Sequence, residues 1–148
     1  MSFRMLPTLE NLNLWKPKIM SFRNCIMCGD EEKENLNHLS SCKKLEKTWK
    51  EIENFTIKLI WITTEDKLQK DYKIQDLKKL LFGTSHKEAI KTRCLYMRGL
   101  FDRLIFNQLK QVFTRRKHIS EIINATTFSI QECFYQLVWR ERCEKVIE

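Results

Sequence analysis

Apolar residues recur at spacings of three and four along most of this chain, the period of amphipathic helices. Thr8 is placed to cap a short helix ending before Pro17, with Leu9, Leu12 and Trp15 facing inward. A second helix is predicted from near Asn37 to about Asn54. Leu45, Trp49 and Ile52 form its apolar stripe, and Lys43, Lys47, Lys50 and Glu51 lie on its other side. The run Phe55 to Ile62 is rich in β-branched and aromatic residues and reads as a short extended segment, although periodicity alone does not separate strand from helix there. Thr64 caps a further stretch that reaches Phe82, with a break around Lys73 and Gly83 as the terminating residue.

The sequence Ser85-His86-Lys87-Glu88 is a capping box. It opens a long helix predicted to reach Lys117, with Ile90, Cys94, Met97, Phe101, Leu104/Ile105, Leu109 and Val112 as its stripe. Phe128-Ser129-Ile130-Gln131-Glu132 repeats the capping pattern and opens a last helix. Phe134, Leu137, Val138, Trp139, Val146 and Ile147 give that helix a broad apolar surface. Two long helices with a short link pack as an antiparallel hairpin. The fold class is therefore mostly α: a small metal-stapled N-terminal module (1–62), then a basic helical hairpin or bundle (63–148).

One cluster breaks the helical pattern. Cys25-Ile26-Met27-Cys28-Gly29 is followed by His38-Leu39-Ser40-Ser41-Cys42, giving Cys-x2-Cys-x9-His-x3-Cys. This is the spacing of a closed Cys3His zinc site. Two intervening residues let a tight turn aim both thiolates at one ion, and Gly29 falls where the backbone bends sharply. His38 and Cys42, four apart, share one face if that stretch is helical. Four protein ligands close a tetrahedron and leave no position for a reacting water, so the ion reads as structural Zn2+. A redox Cys-x-x-Cys belongs beside a βαβ pattern, which is absent; chance spacing, or a degenerate site, is the remaining alternative. Zinc binding would supply about 10–16 kcal/mol of apparent free energy near pH 7, comparable to the whole stability of a small domain.

The residues around the cluster carry a family resemblance. Leu6, Pro7, Thr8 and Leu12 precede it; Gly29, Glu31, Glu32 and Leu39 lie within it; Trp49 follows Cys42 by seven positions. Together with Cys25, Cys28, His38 and Cys42, this pattern resembles the zinc-binding domain found C-terminal to the reverse transcriptase of non-LTR retrotransposons. The resemblance covers roughly residues 6 to 55, about a third of the chain. That family commonly has four residues between the His and the last Cys, where this chain has three. The resemblance implies a non-catalytic module that helps a polymerase engage RNA or DNA.

The formal charge is +8. The cluster segment is mildly acidic, and the helical region after it carries most of the positive charge. A basic chain attracts polyanions, although Lys-rich helix faces are also ordinary solvated surface. Candidate phosphate contacts are Arg23, Lys43, Lys44 and Lys47, flanking the cluster, and Arg115, Arg116 and Lys117. The last three also read as a helix end, where cations complement the dipole. Cys94, Cys133 and Cys143 read as buried structural thiols, His86 and His118 as exposed, and Trp49 as buried against the metal loop.

No Gly-rich phosphate loop, nucleophile elbow, His-Glu-x-x-His or adjacent polymerase aspartates are present, which argues against an enzyme or a small-molecule substrate. No run is long and apolar enough to span a bilayer, and the N-terminus lacks a signal-like apolar region. The expectation is an intracellular protein with RNA or DNA as partner and no membrane association. A helical module that binds another protein is the alternative.

Overall fold

The computed structural model describes residues 25–29, 34–63, 72–113 and 115–147. The expected helix at Thr8, the Thr64 cap and Arg23 lie outside them. The described residues are mostly helical and contain no strand, with the Cys/His cluster at the start and a helix bundle behind it.

Helix α1 spans Leu36–Ser41 and is only six residues long. Asn35 caps it, its side-chain oxygen accepting the His38 N–H at 2.9 Å. The predicted continuous helix from Asn37 is interrupted at Cys42, whose ψ of 126° takes the chain out of the helix. A 3-10 turn, Lys43–Leu45, follows, and α2 then runs Glu46–Thr63.

The extended segment expected over Phe55–Ile62 is instead the second half of α2. Trp49, Ile52, Glu53, Thr56, Ile57 and Ile60 form one buried face. β-branched residues cost a helix no more than about 0.7 kcal/mol each relative to Ala. Burying an Ile side chain is worth about 1.5–3 kcal/mol, so packing overrides local preference.

Helix α3, Ile74–Phe82, begins after Lys73, where the sequence placed a break. It ends at Gly83, whose φ is +81° and where an added Cβ would fall 2.6 Å from the Glu88 Cβ, leaving no room for a side chain. Helix α4, His86–Met97, opens as the capping box predicts in one half: Ser85 Oγ accepts the Glu88 N–H at 3.2 Å. The Glu88 carboxylate also accepts from the Thr84 N–H at 2.7 Å.

The predicted single helix to Lys117 is two helices. Gly99 adopts φ +73° after α4. Asp102 then caps α5, Arg103–Val112, accepting the Leu104 N–H at 3.0 Å. Phe101 and Leu104 are consequently exposed rather than part of a buried stripe. Helix α6, Arg116–Phe134, begins twelve residues before the expected start at Phe128, which is exposed in mid-helix. Ser129 is no cap; its hydroxyl meets Thr56 Oγ1 of α2 at 2.8 Å. A π-helical turn, Tyr135–Trp139, joins α6 to α7, Arg140–Ile147.

The bundle is built on α2 packed against α6. Helix α4 covers α1 on one side and α6 on the other, while α3 rests on α2 and α4, and α5 on α3 and α6. One hydrophobic cluster runs from Cys25 and Cys42 through Trp49, Ile52, Leu81 and Met97 to Phe134 and Trp139. Cys94 is buried as expected, and Cys133 and Cys143 are half-buried.

A buried cation organises the junction of α1, α2 and α4. Arg93 is 1% exposed and forks onto both oxygens of Glu46, at 3.0 and 3.1 Å. Its Nε donates to Glu53 at 2.5 Å, its Nη1 also reaches the Ser40 carbonyl at 3.2 Å, and it lies over the Trp49 ring. Hydrogen bonds from Arg93 hold the Glu46 carboxyl below its ordinary 4.5, while burial pushes that of Glu53 upward against the pull of Arg93.

Two outcomes follow from this arrangement. Arg93→Met leaves two carboxylates without their cation and should cost about 3–5 kcal/mol in urea unfolding. Because the folded-state value of Glu46 is lowered, its contribution is present above pH 4.5 and fades as pH falls through the lowered value. Glu46→Gln should therefore flatten the acid limb of a stability–pH profile below pH 4.5, relative to the wild type.

Candidate metal centre

The four sequence-predicted ligands meet. The ligand atoms of Cys25, Cys28, His38 and Cys42 all lie within 4.8 Å of one another. Cys25 Sγ is 4.0 Å from Cys42 Sγ, and Cys28 Sγ is 3.4 Å from His38 Nε2. A tetrahedral ion with bonds of about 2.0–2.3 Å places its ligands about 3.6–3.8 Å apart. These two edges fall on either side of that range. A disulfide needs sulfurs about 2.05 Å apart, and all six cysteines are free.

Local structure explains the convergence. Gly29 N–H donates to the Cys25 carbonyl at 2.9 Å, closing the tight turn, and Gly29 takes φ +72°. His38 lies in α1 and Cys42 at its C-terminal boundary, so the two keep the one-turn separation that the spacing implies. Cys25 and Cys42 are fully buried, His38 is buried and Cys28 half-buried.

The donor set, three thiols and an imidazole, is chemically suited to a metal ion. Burial pushes the Cys25 thiol up to about 12, against the pull of the Cys28 and Met27 backbone amides directed at its sulfur. Burial likewise raises Cys42, opposed by the Lys44 amide. Without a cation the two buried sulfurs therefore favour the neutral thiol, since the amides only partly offset burial. A bound cation would supply the remaining charge and hold the thiols deprotonated.

The surrounding structure fixes the ligand-bearing elements. The Leu39 and Ser40 carbonyls at the end of α1 have no partner within so short a helix. Trp49 Nε1 donates to the first at 2.9 Å, and Arg93 to the second. Trp49 is thus buried against the metal loop, as expected, and stacks on Phe134 with centroids 5.3 Å apart. Cys94 Sγ lies 3.0 Å from Asn37 Oδ1, which ties α4 to α1 without joining the quartet.

Sequence reasoning missed Glu34, Glu46, Glu53, Arg93 and Arg142. They are scattered over more than a hundred positions, and no spacing rule connects them. Lys43 and Lys44 form the exposed turn directly after Cys42, and Lys47 is exposed on the first turn of α2. Arg115, Arg116 and Lys117 are also exposed, but they begin a helix rather than ending one. His86 is exposed and lies 3.6 Å from Glu46.

No family model, curated protein or solved structure matches this chain. Among the described residues, no helix is long and apolar enough to cross a membrane.

The geometry separates ligand from bystander thiols. Cys42→Ser should abolish stoichiometric metal retention in metal analysis of purified protein. Cys94→Ser should leave it unchanged.

Proposed function

We propose that this chain is a zinc-stabilised, non-catalytic nucleic-acid-binding module, in keeping with its resemblance to the region after the polymerase of non-LTR retrotransposons. The convergence of Cys25, Cys28, His38 and Cys42 carries this reading. Three thiolates and one imidazole, with ligand atoms within 4.8 Å of one another, favour Zn2+. Four protein ligands fill its shell, so the ion braces the backbone rather than activating water. Cysteines kept as ligands suit an intracellular setting, where thiols stay reduced.

The placement of exposed cations supports polyanion binding. Lys43 and Lys44 are carried on the turn that follows a ligand, so metal binding would order the backbone from which they project. Arg115, Arg116 and Lys117 stand at the positive end of the α6 dipole, and that helix has no acidic residue in its first turn. Cations there oppose the dipole and cost a helix about 0.3–1 kcal/mol. The structural rationale that would apply at a helix C-terminus is gone. Attraction of phosphates remains as a reason for three adjacent cations at this point.

One observation favours a protein-binding reading. Phe55, Leu59 and Ile62 lie on the outer face of α2 and are 56%, 43% and 76% exposed. A partner helix covering them would make this chain an interaction module.

Salt titration with a single-stranded RNA and a DNA duplex tests the nucleic-acid reading. Affinity of the zinc-loaded protein should fall linearly with log salt concentration, because phosphate contacts release counterions. Arg116→Glu should weaken binding and shallow that slope, while raising thermal stability slightly by complementing the dipole. Absence of binding at low salt would remove the reading in favour of a protein partner.

A further inference from the structure

A second buried ion pair joins the metal turn to the far end of the chain. Glu34 is fully buried. One of its carboxylate oxygens accepts the Ile26 N–H at 3.4 Å, inside the Cys25–Cys28 turn. The other accepts from Arg142 Nε at 3.0 Å and from its Nη2 at 2.5 Å. Arg142, on α7, is 2% exposed and lies 4.6 Å above the Trp139 ring.

The backbone is shaped for this contact. The π-helical turn Tyr135–Trp139 inserts the equivalent of one residue into an otherwise α-helical run. One residue corresponds to about 100° of rotation. The turn therefore sets which way α7 presents Arg142. Its own Trp139 supplies the ring beneath the guanidinium and reaches Phe134, which stacks on Trp49.

As a source of stability such a pair is a poor choice, because desolvating two charges offsets much of their attraction. Its value lies in what it holds. The Ile26 amide belongs to the turn that Gly29 N–H closes on the Cys25 carbonyl, between the Cys25 and Cys28 ligands. Fixing that amide constrains the plane of the turn from which Cys25 and Cys28 project.

We infer that Glu34 and Arg142 are positioning residues for the metal centre, forming a latch through which α7 sets how fast the ion is released. This rests on the zinc reading above. It assigns the C-terminal helix a role in metal retention that the four ligands alone do not reveal. Partners that orient a metal site from beyond its ligands commonly change affinity 10–100-fold when lost.

The test is zinc transfer from the full-length protein to a coloured chelator in excess, under native conditions. Arg142→Met should release zinc about 10-fold faster or more than the wild type. Glu34→Gln keeps an acceptor for the Ile26 amide and should fall between the two. Arg142→Lys keeps the charge but loses the fork, and should also be intermediate. Leu109→Ala, a core truncation on α5, serves as the control for general destabilisation and should release zinc at the wild-type rate. If Arg142→Met does not fold, Glu34→Gln and Arg142→Lys carry the comparison. Release from the Arg142 and Glu34 variants at the wild-type rate, or equal acceleration in Leu109→Ala, would overturn the latch while leaving the zinc site intact. A wild-type protein that takes up no zinc would overturn both.

Discussion

The structure turns on how a six-residue helix is held in place. Helix α1 carries His38 and delivers Cys42, yet a single isolated turn or two of helix is not stable in water. Its N-terminus is closed by Asn35. Its C-terminal carbonyls are taken by Trp49 from α2 and Arg93 from α4. The same two side chains anchor the bundle, one by stacking on Phe134, the other by binding Glu46 and Glu53. Ligand geometry and core packing are therefore one set of constraints. Helix α1 is attached to the bundle by polar contacts from α2 and α4, and Trp49 extends that attachment to α6.

Two buried arginines divide this task. Arg93 ties the end of α1 to the helices behind it, and Arg142 ties the Cys25–Cys28 turn to α7 through Glu34. Each sits over a tryptophan, so part of its desolvation is offset by the ring face as well as by carboxylates. Buried pairs of this kind add little net stability over apolar packing. Their geometry is directional, however, and a bundle of amphipathic helices alone leaves the orientation of a metal loop loosely defined. The arginines supply that orientation.

The mostly helical class and the ligand quartet were legible in the sequence, because helical periodicity and Cys/His spacing are local signals. Lys73, Gly83 and Ser85 were also read correctly as boundaries. What was misread has a common cause. Phe55 to Ile62 looked extended because β-branched residues carry weak local preferences that burial on α2 overrides. The break at Gly99–Asp102 was written in the chain as a left-handed glycine and an N-cap, but the apolar spacing ran through it unbroken. Ser129 resembled a cap because the side chain that bonds a helix end can equally bond Thr56 across an interface. The Arg93 and Arg142 pairs had no local signature. They join residues 40 and 108 positions apart, and only the assembled fold identifies them.

The reading of this chain as a metal-braced scaffold that presents cations depends on one centre. Extended X-ray absorption at the zinc edge of the purified protein probes that centre directly. A closed Cys3His zinc centre gives a shell of three sulfurs at about 2.3 Å and one nitrogen at about 2.0–2.1 Å, with no further ligand. A shell dominated by oxygen and nitrogen, or the absence of bound zinc in protein whose cysteines are reduced, would contradict it.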